Sequence, residues 1–131
     1  MDIDLKPGLA AKAEKTVAYE DTAKAVASGL AEVFATPSMI ALMENAAYAA
    51  VQPHLPPGAS TVGTAISVKH MAATPIGHKV WAAATLTEAD GRKLTFDIEA
   101  FDETEQIGTA THTRFIIDEE RFMKKVGEKK K

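Results

Sequence analysis

The sequence predicts an α+β domain in which an antiparallel sheet wraps around one long central helix. Three observations predict it. One helix-forming stretch, Pro37 to Gln52, is apolar around most of its circumference. Four runs with a period of two follow it: Thr61 to Met71, His78 to Glu88, Lys93 to Phe101 and Gln106 to Asp118. The last three runs are separated by Ala89-Asp90-Gly91-Arg92 and Asp102-Glu103-Thr104-Glu105, both hairpin-turn sequences.

In chain order, residues 9–20 show loose alternation that suits a first strand, although their alanines favour strands little. The central stretch then opens with Thr36 as expected N-cap and Pro37 at the first helical position, where a missing N–H costs nothing. It must stop before Pro53, Pro56, Pro57 and Gly58. Having no outer face of lysines and glutamates, this helix is expected to be buried on most sides. Of the later runs, Lys93 to Phe101 alternates most cleanly. Leu94, Phe96, Ile98 and Ala100 face one way, and Lys93, Thr95, Asp97 and Glu99 the other. The four runs read as an antiparallel meander, and a hot-dog fold meets the need to cover the helix. Glu119 to Val126 can form a short amphipathic helix or tail off.

The 131 residues make one domain, 1–131, and 46% hydrophobic residues can bury a core. Alanine dominates that fraction and aromatics are only 6%, so close helix-to-sheet packing is expected. The absence of cysteine removes thiolate nucleophiles, thiolate zinc sites and disulfides. A net charge of −3 gives no reason to expect nucleic acid. No apolar stretch approaches the roughly 18 residues of a membrane helix, and the N-terminus starts acidic rather than basic, so a cytoplasmic protein without membrane contact is expected. The basic run Lys-Lys-Val-Gly-Glu-Lys-Lys-Lys at the C-terminus reads as a solvated tail.

Glu44 stands out chemically. Ile40, Met43, Ala47 and Val51 surround it at helical spacings, and a carboxylate in an apolar surface needs a partner, a wet pocket or a raised pKa. Such a group serves base or nucleophilic chemistry as readily as a structural ion pair. His70 shares strand parity with Val62, Ile66 and Val68, which should point inward, and an imidazole near a carboxylate can activate water or a nucleophile. Thr36 is adequately explained as a cap, yet the start of a helix also favours a developing oxyanion. Gly63 permits close backbone approach or marks a bulge. Arg114 shares parity with His112 and Ile116 and could bind an anionic group or make a surface ion pair. His54, His78 and His112 lack metal-ligand spacing, so no metal is expected.

Two segments carry a resemblance: Val-Phe-Ala-Thr-Pro-Ser-Met-Ile-Ala-Leu-Met-Glu, 33–44, and Gly-Thr-Ala-Ile-Ser-Val-Lys-His-Met-Ala-Ala-Thr-Pro, 63–75. The chain resembles the fluoroacetyl-CoA thioesterase family of hot-dog proteins from about Val33 through Arg114. The resemblance implies hydrolysis of an acyl-CoA by a homodimer with its active site between subunits. It implies no cofactor, coenzyme A entering only as part of the substrate. Thr36, Glu44 and His70 match the family's catalytic positions, and Gly63 and Arg114 match substrate-pocket positions. Fluoroacetyl-selective members carry a phenylalanine lid where this chain has Leu30, and Gly-Phe where it has Pro37-Ser38. A pocket of Leu30, Phe34, Met39 and Met43 is expected to take a short or medium acyl group. The alternatives are a non-catalytic acyl-CoA binding protein and an acyl-thioester hydratase or dehydratase.

Overall fold

The computed structural model describes residues 3–130. Met1 and Asp2 of the acidic N-terminus and Lys131 of the basic tail lie outside them. The strands are β1 (Ala10–Thr16), β2 (Ala59–His70), β3 (Lys79–Asp90), β4 (Lys93–Asp102) and β5 (Gln106–Asp118), with helices α1 (Thr36–Val51) and α2 (Glu119–Gly127). One antiparallel sheet has the order β1-β3-β4-β5-β2.

This order corrects the expected four-strand meander. Only β3, β4 and β5 follow one another through hairpins, the first of which turns at Gly91 with φ 60. Strand β2 lies beyond β5 at the far edge, and β1 pairs with β3 at the other. The segment from Met71 to His78 is too long for a tight hairpin and is held elsewhere: Val33 bridges Pro75, and the Phe34 N–H donates to the Thr74 carbonyl at 2.8 Å.

Helix α1 lies across β1, β3 and β4. Ala46, Ala47 and Ala50 on the helix and Ala82, Ala84 and Ala100 on the sheet are all buried, so small side chains bring the layers close, as the composition led us to expect. Leu94, Phe96, Ile98 and Ala100 are buried as the alternation of β4 requires, while Lys93, Asp97 and Glu99 are exposed. The helix is less enclosed than expected. Pro37, Ala41, Asn45 and Tyr48 recur at helical spacing along an exposed strip. Glu44 sits at the margin of that strip, half-buried.

Two local expectations also change. Ala35, not Thr36, is the N-cap, and no side chain caps the helix; Thr36 is already helical and its hydroxyl goes elsewhere. In β2 the register shifts between Gly63 and Ala65. Before the bulge Thr61 and Gly63 lie opposite the buried Ile116 and Arg114; after it Ile66, Val68 and His70 lie opposite His112, Ala110 and Gly108. Val62 therefore does not share a face with His70, because one extra residue inverts the parity. The closing segment is a helix, α2, capped by the Asp118 carboxylate on the Arg121 N–H at 3.0 Å.

Candidate active site

The start of α1 meets the end of β2. Thr36 Oγ1 and His70 Nδ1 are hydrogen-bonded at 2.7 Å. Burial pushes the His70 pKa below its ordinary value of 6.5, opposed by the nearby Ala72 carbonyl, so the ring is neutral at physiological pH. Among the described residues the buried Nε2 has no hydrogen-bond partner. In either neutral tautomer Nε2 is an unused donor or acceptor. Thr36 and His70 border a cleft of about 360 Å³, together with Val33, Phe34, Met71 and Ala72.

The wall of that cleft is braced from behind. Asp102, which the sequence suggested only as a turn residue, is buried and accepts hydrogen bonds from Thr74 Oγ1 at 2.8 Å and from the N–H groups of Thr104 and Glu105 at 2.8 and 2.9 Å. Burial alone would raise the Asp102 pKa. Those three hydrogen bonds and the field of His78 outweigh it and bring the carboxyl below 3.8. Thr74 in turn holds Phe34 through the backbone.

A second cluster lies farther along both elements. A Cβ built on Gly63 would sit 2.9 Å from Glu44 Oε2, 3.1 Å from His112 Cε1 and 3.3 Å from Arg114 Nη1. The absent side chain thus leaves a notch between a carboxylate and a guanidinium, and Gly63 serves close approach as well as flanking the bulge. Arg114 is buried, and its Nε and Nη2 donate to Thr61 Oγ1 at 2.8 Å and to the Thr61 carbonyl at 3.0 Å. Burial lowers its pKa while the Glu44 carboxylate raises it. The notch opens into a cleft of about 430 Å³ that also borders Ala41, Asn45 and Tyr48.

Within one chain the two clusters stay apart. Eight residues of helix separate Thr36 from Glu44, about 12 Å of rise. Seven residues of strand separate Gly63 from His70, on the order of 20 Å. The structure therefore joins Thr36 to His70, and Glu44 to Gly63 and Arg114, but not Glu44 to His70. Of the expected acyl-pocket residues, Phe34 borders the Thr36 cleft and Leu30 is 91% exposed. Met39 and Met43 are sealed in the core, because both fall on the helix face turned to the sheet. There Met39 Sδ and Cε fill the space that a side chain on Gly108 would need, 2.7 Å from its built Cβ. In the sequence His112 has weight only as a metal ligand, yet it is buried in the Glu44 cluster. Its parity with Arg114, visible in the sequence, is the signal that places it there. Among the described residues no group of three or more His, Cys, Asp or Glu could hold a metal ion.

The family model described as fluoroacetyl-CoA-specific thioesterase matches residues 17–120. The fluoroacetyl-CoA thioesterase of Streptantibioticus cattleyicolor is 46% identical over 98 residues, 75% of this chain and 70% of that protein. The chain belongs to the fluoroacetyl-CoA-specific thioesterase family. It is accordingly a thioester hydrolase by descent. A solved structure of a fluoroacetyl-CoA thioesterase superposes with a TM-score of 0.90 at 36% identity, over 96% of this chain and 98% of that one. A Thermus thermophilus member of the thioesterase superfamily (TM-score 0.86, 24% identity, 96% of each chain) shares the fold. So does a hot-dog-like protein from Thermanaerovibrio acidaminovorans (TM-score 0.84, 22% identity, 94% and 91%). The family member described here thus has the hot-dog fold, with β2 at an open edge of its sheet.

Proposed function

We propose that this protein is a cytoplasmic homodimer that hydrolyses a short or medium acyl-CoA to the free acid and CoA, with Thr36, Glu44 and His70 at its active site. The observation that carries the site assignment is the uncapped start of α1, where the Thr36 hydroxyl is spent on His70 and the imidazole's second nitrogen is left without a partner. Thr36 and neutral His70 form a hydrogen-bonded pair at a helix N-terminus, where a thioester oxyanion is stabilised by the helix dipole. Glu44 supplies the carboxylate that activates water or attacks the acyl carbon, and the Gly63 notch with Arg114 receives the polar part of the substrate.

The separation of the two clusters supports the homodimer reading. Among the described residues strand β2 is an edge with no neighbour on its outer side. Antiparallel pairing of β2 with its copy about a two-fold axis near Ile66 and Ser67 sets Gly63 of one subunit opposite His70 of the other. Glu44 then completes the Thr36 and His70 pair across the interface. Among the described residues no helix is long and apolar enough to cross a membrane.

A panel of acyl-CoA and enoyl-CoA thioesters, assayed for both thiol release and hydration, tests the reaction. Free CoA is expected from short or medium acyl chains, with Glu44→Gln and His70→Ala each removing most of it while light scattering still reports a dimer. Co-expression of those two inactive variants should restore part of the activity, since a mixed dimer contains one intact composite site. Turnover retained in both variants would overturn the site assignment, hydration without thiol release would overturn hydrolysis, and thermal protection by ligand without any turnover would leave a binding protein.

A further inference from the structure

We propose that His112 is a positioning residue that aims the Arg114 guanidinium at the Gly63 notch. This rests on the reading that Arg114 meets the substrate.

The hydrogen bonds determine the imidazole's state. His112 Nδ1 lies 2.8 Å from the Ala65 carbonyl, which can only accept, so Nδ1 carries the proton. Nε2 lies 3.3 Å from Arg114 Nη1, and a guanidinium can only donate, so Nε2 offers its lone pair. Both demands are met by one neutral tautomer, and burial, the largest influence, holds the ring's pKa below 6.5. The Arg114 charge acts in the same direction, against the Ala65 carbonyl and the Glu44 carboxylate.

The guanidinium is thereby held on three sides, by Thr61 Oγ1, the Thr61 carbonyl and His112 Nε2. Among the described residues three of its five N–H donors are spent; of the two left, one on each of Nη1 and Nη2, that of Nη1 lies beside the notch. Thr61 alone grips the Nε and Nη2 edge and leaves Nη1 unsupported. The imidazole supplies the missing contact and itself borders the notch through Cε1, 3.1 Å from the position of a Gly63 Cβ. It is anchored in turn: it is 1% exposed, its ring stands 6.3 Å from that of Phe96, and Ala65 is the first residue beyond the bulge in β2. The bulge, the imidazole and the guanidinium therefore form one chain of contacts that fixes where a substrate oxygen finds its donor.

Two amide side chains separate this role from a structural one. In His112→Gln the amide oxygen can take the place of Nε2 and accept from Arg114, while in His112→Asn the amide nitrogen can take the place of Nδ1 and donate to Ala65. Steady-state hydrolysis of acetyl-CoA and butanoyl-CoA, with thermal melts of each dimer, gives the readout. His112→Asn is expected to raise KM about tenfold or more, the low end of the worth of one hydrogen bond to a charged group. His112→Gln should recover most of that loss. The reverse ranking, with His112→Asn the better variant, would show that the bond to Ala65 matters and would overturn the proposal. Equal losses tracking equal falls in Tm would do the same. Arg114→Lys and Arg114→Ala serve as references. If they leave KM unchanged, the reading of Arg114 fails and the proposal with it. If they raise KM while His112→Asn does not, the proposal alone is wrong.

Discussion

Gly63→Ala adds one methyl group to the most crowded point of the Glu44 cluster. The new Cβ would stand 2.9 Å from Glu44 Oε2, 3.1 Å from His112 Cε1 and 3.3 Å from Arg114 Nη1, where ordinary contact begins at 3.4 Å. His112 and Arg114 are buried and bonded to Ala65 and Thr61, so neither yields easily. The carboxylate of Glu44 is the free end of a flexible, half-buried side chain and must be the group that retreats. The fold should therefore tolerate the change. Gly63 does not have a positive φ, and a Gly to Ala replacement without backbone strain is worth about 0.4–1 kcal/mol in favour of folding, which offsets the crowding. Catalysis should not tolerate it, because the notch is filled and the carboxylate displaced; misplacement on the order of an ångström costs about 10²-fold. The expected result is a Tm close to that of the parent protein and kcat/KM lower by about 10²-fold, measured as thiol release from acetyl-CoA. Unchanged kcat/KM in a folded Gly63→Ala dimer would refute the notch as a substrate site. A collapse in Tm would instead show that the glycine serves packing alone.

Thr36→Val removes the hydroxyl that bonds His70 Nδ1 while keeping shape, and should lower kcat by about 10²-fold or more, whereas Thr36→Ser should retain most of the activity. Because burial lowers the His70 pKa, kcat/KM should be constant through neutral pH and fall on the acid side with an apparent pKa below 6.5; a limb at or above 6.5 would contradict a neutral, desolvated imidazole. Asp102→Asn weakens charge-assisted bonds to Thr74, Thr104 and Glu105 and should cost about 1.5–3 kcal/mol in urea unfolding at neutral pH. The folded carboxyl titrates below 3.8, so its contribution is fully present above that value and is lost as the pH falls through the lower, folded one. The gap between parent and variant should narrow only in that acid range.

The elements were largely legible because each has a strong local cause. The run of Ala, Leu and Met between Thr36 and the prolines after Gln52 specifies α1, and the alternation from Lys93 to Phe101 specifies β4 and its two faces. Glu44 was legible as an anomaly for the same reason, a carboxylate at the wrong place in an apolar pattern. The capping expected of Thr36 is the part that fails. A threonine before a proline and a helix looks like a cap, and only the approach of His70 from the end of β2 gives its hydroxyl another partner. The inward face of His70 is legible from Ile66 and Val68, whereas Val62 precedes the bulge and points the other way.

By itself the sequence determined what depends on neighbours along the chain: where the helix and strands lie, which face of β4 is dry, that no thiol chemistry is available, and which motif positions carry a threonine, a glutamate and a histidine. The tertiary structure decided what depends on neighbours across it. It placed β2 beside β5 instead of β3, because the chain between β2 and β3 is tied to Val33 and Phe34 rather than folded into a hairpin. It also paired Thr36 with His70 while holding Glu44 at Gly63, Arg114 and His112. Strand parity is a local signal that a single bulge inverts. Contacts between residues thirty or more positions apart depend on how the whole sheet is ordered, and no periodicity in the sequence encodes that order.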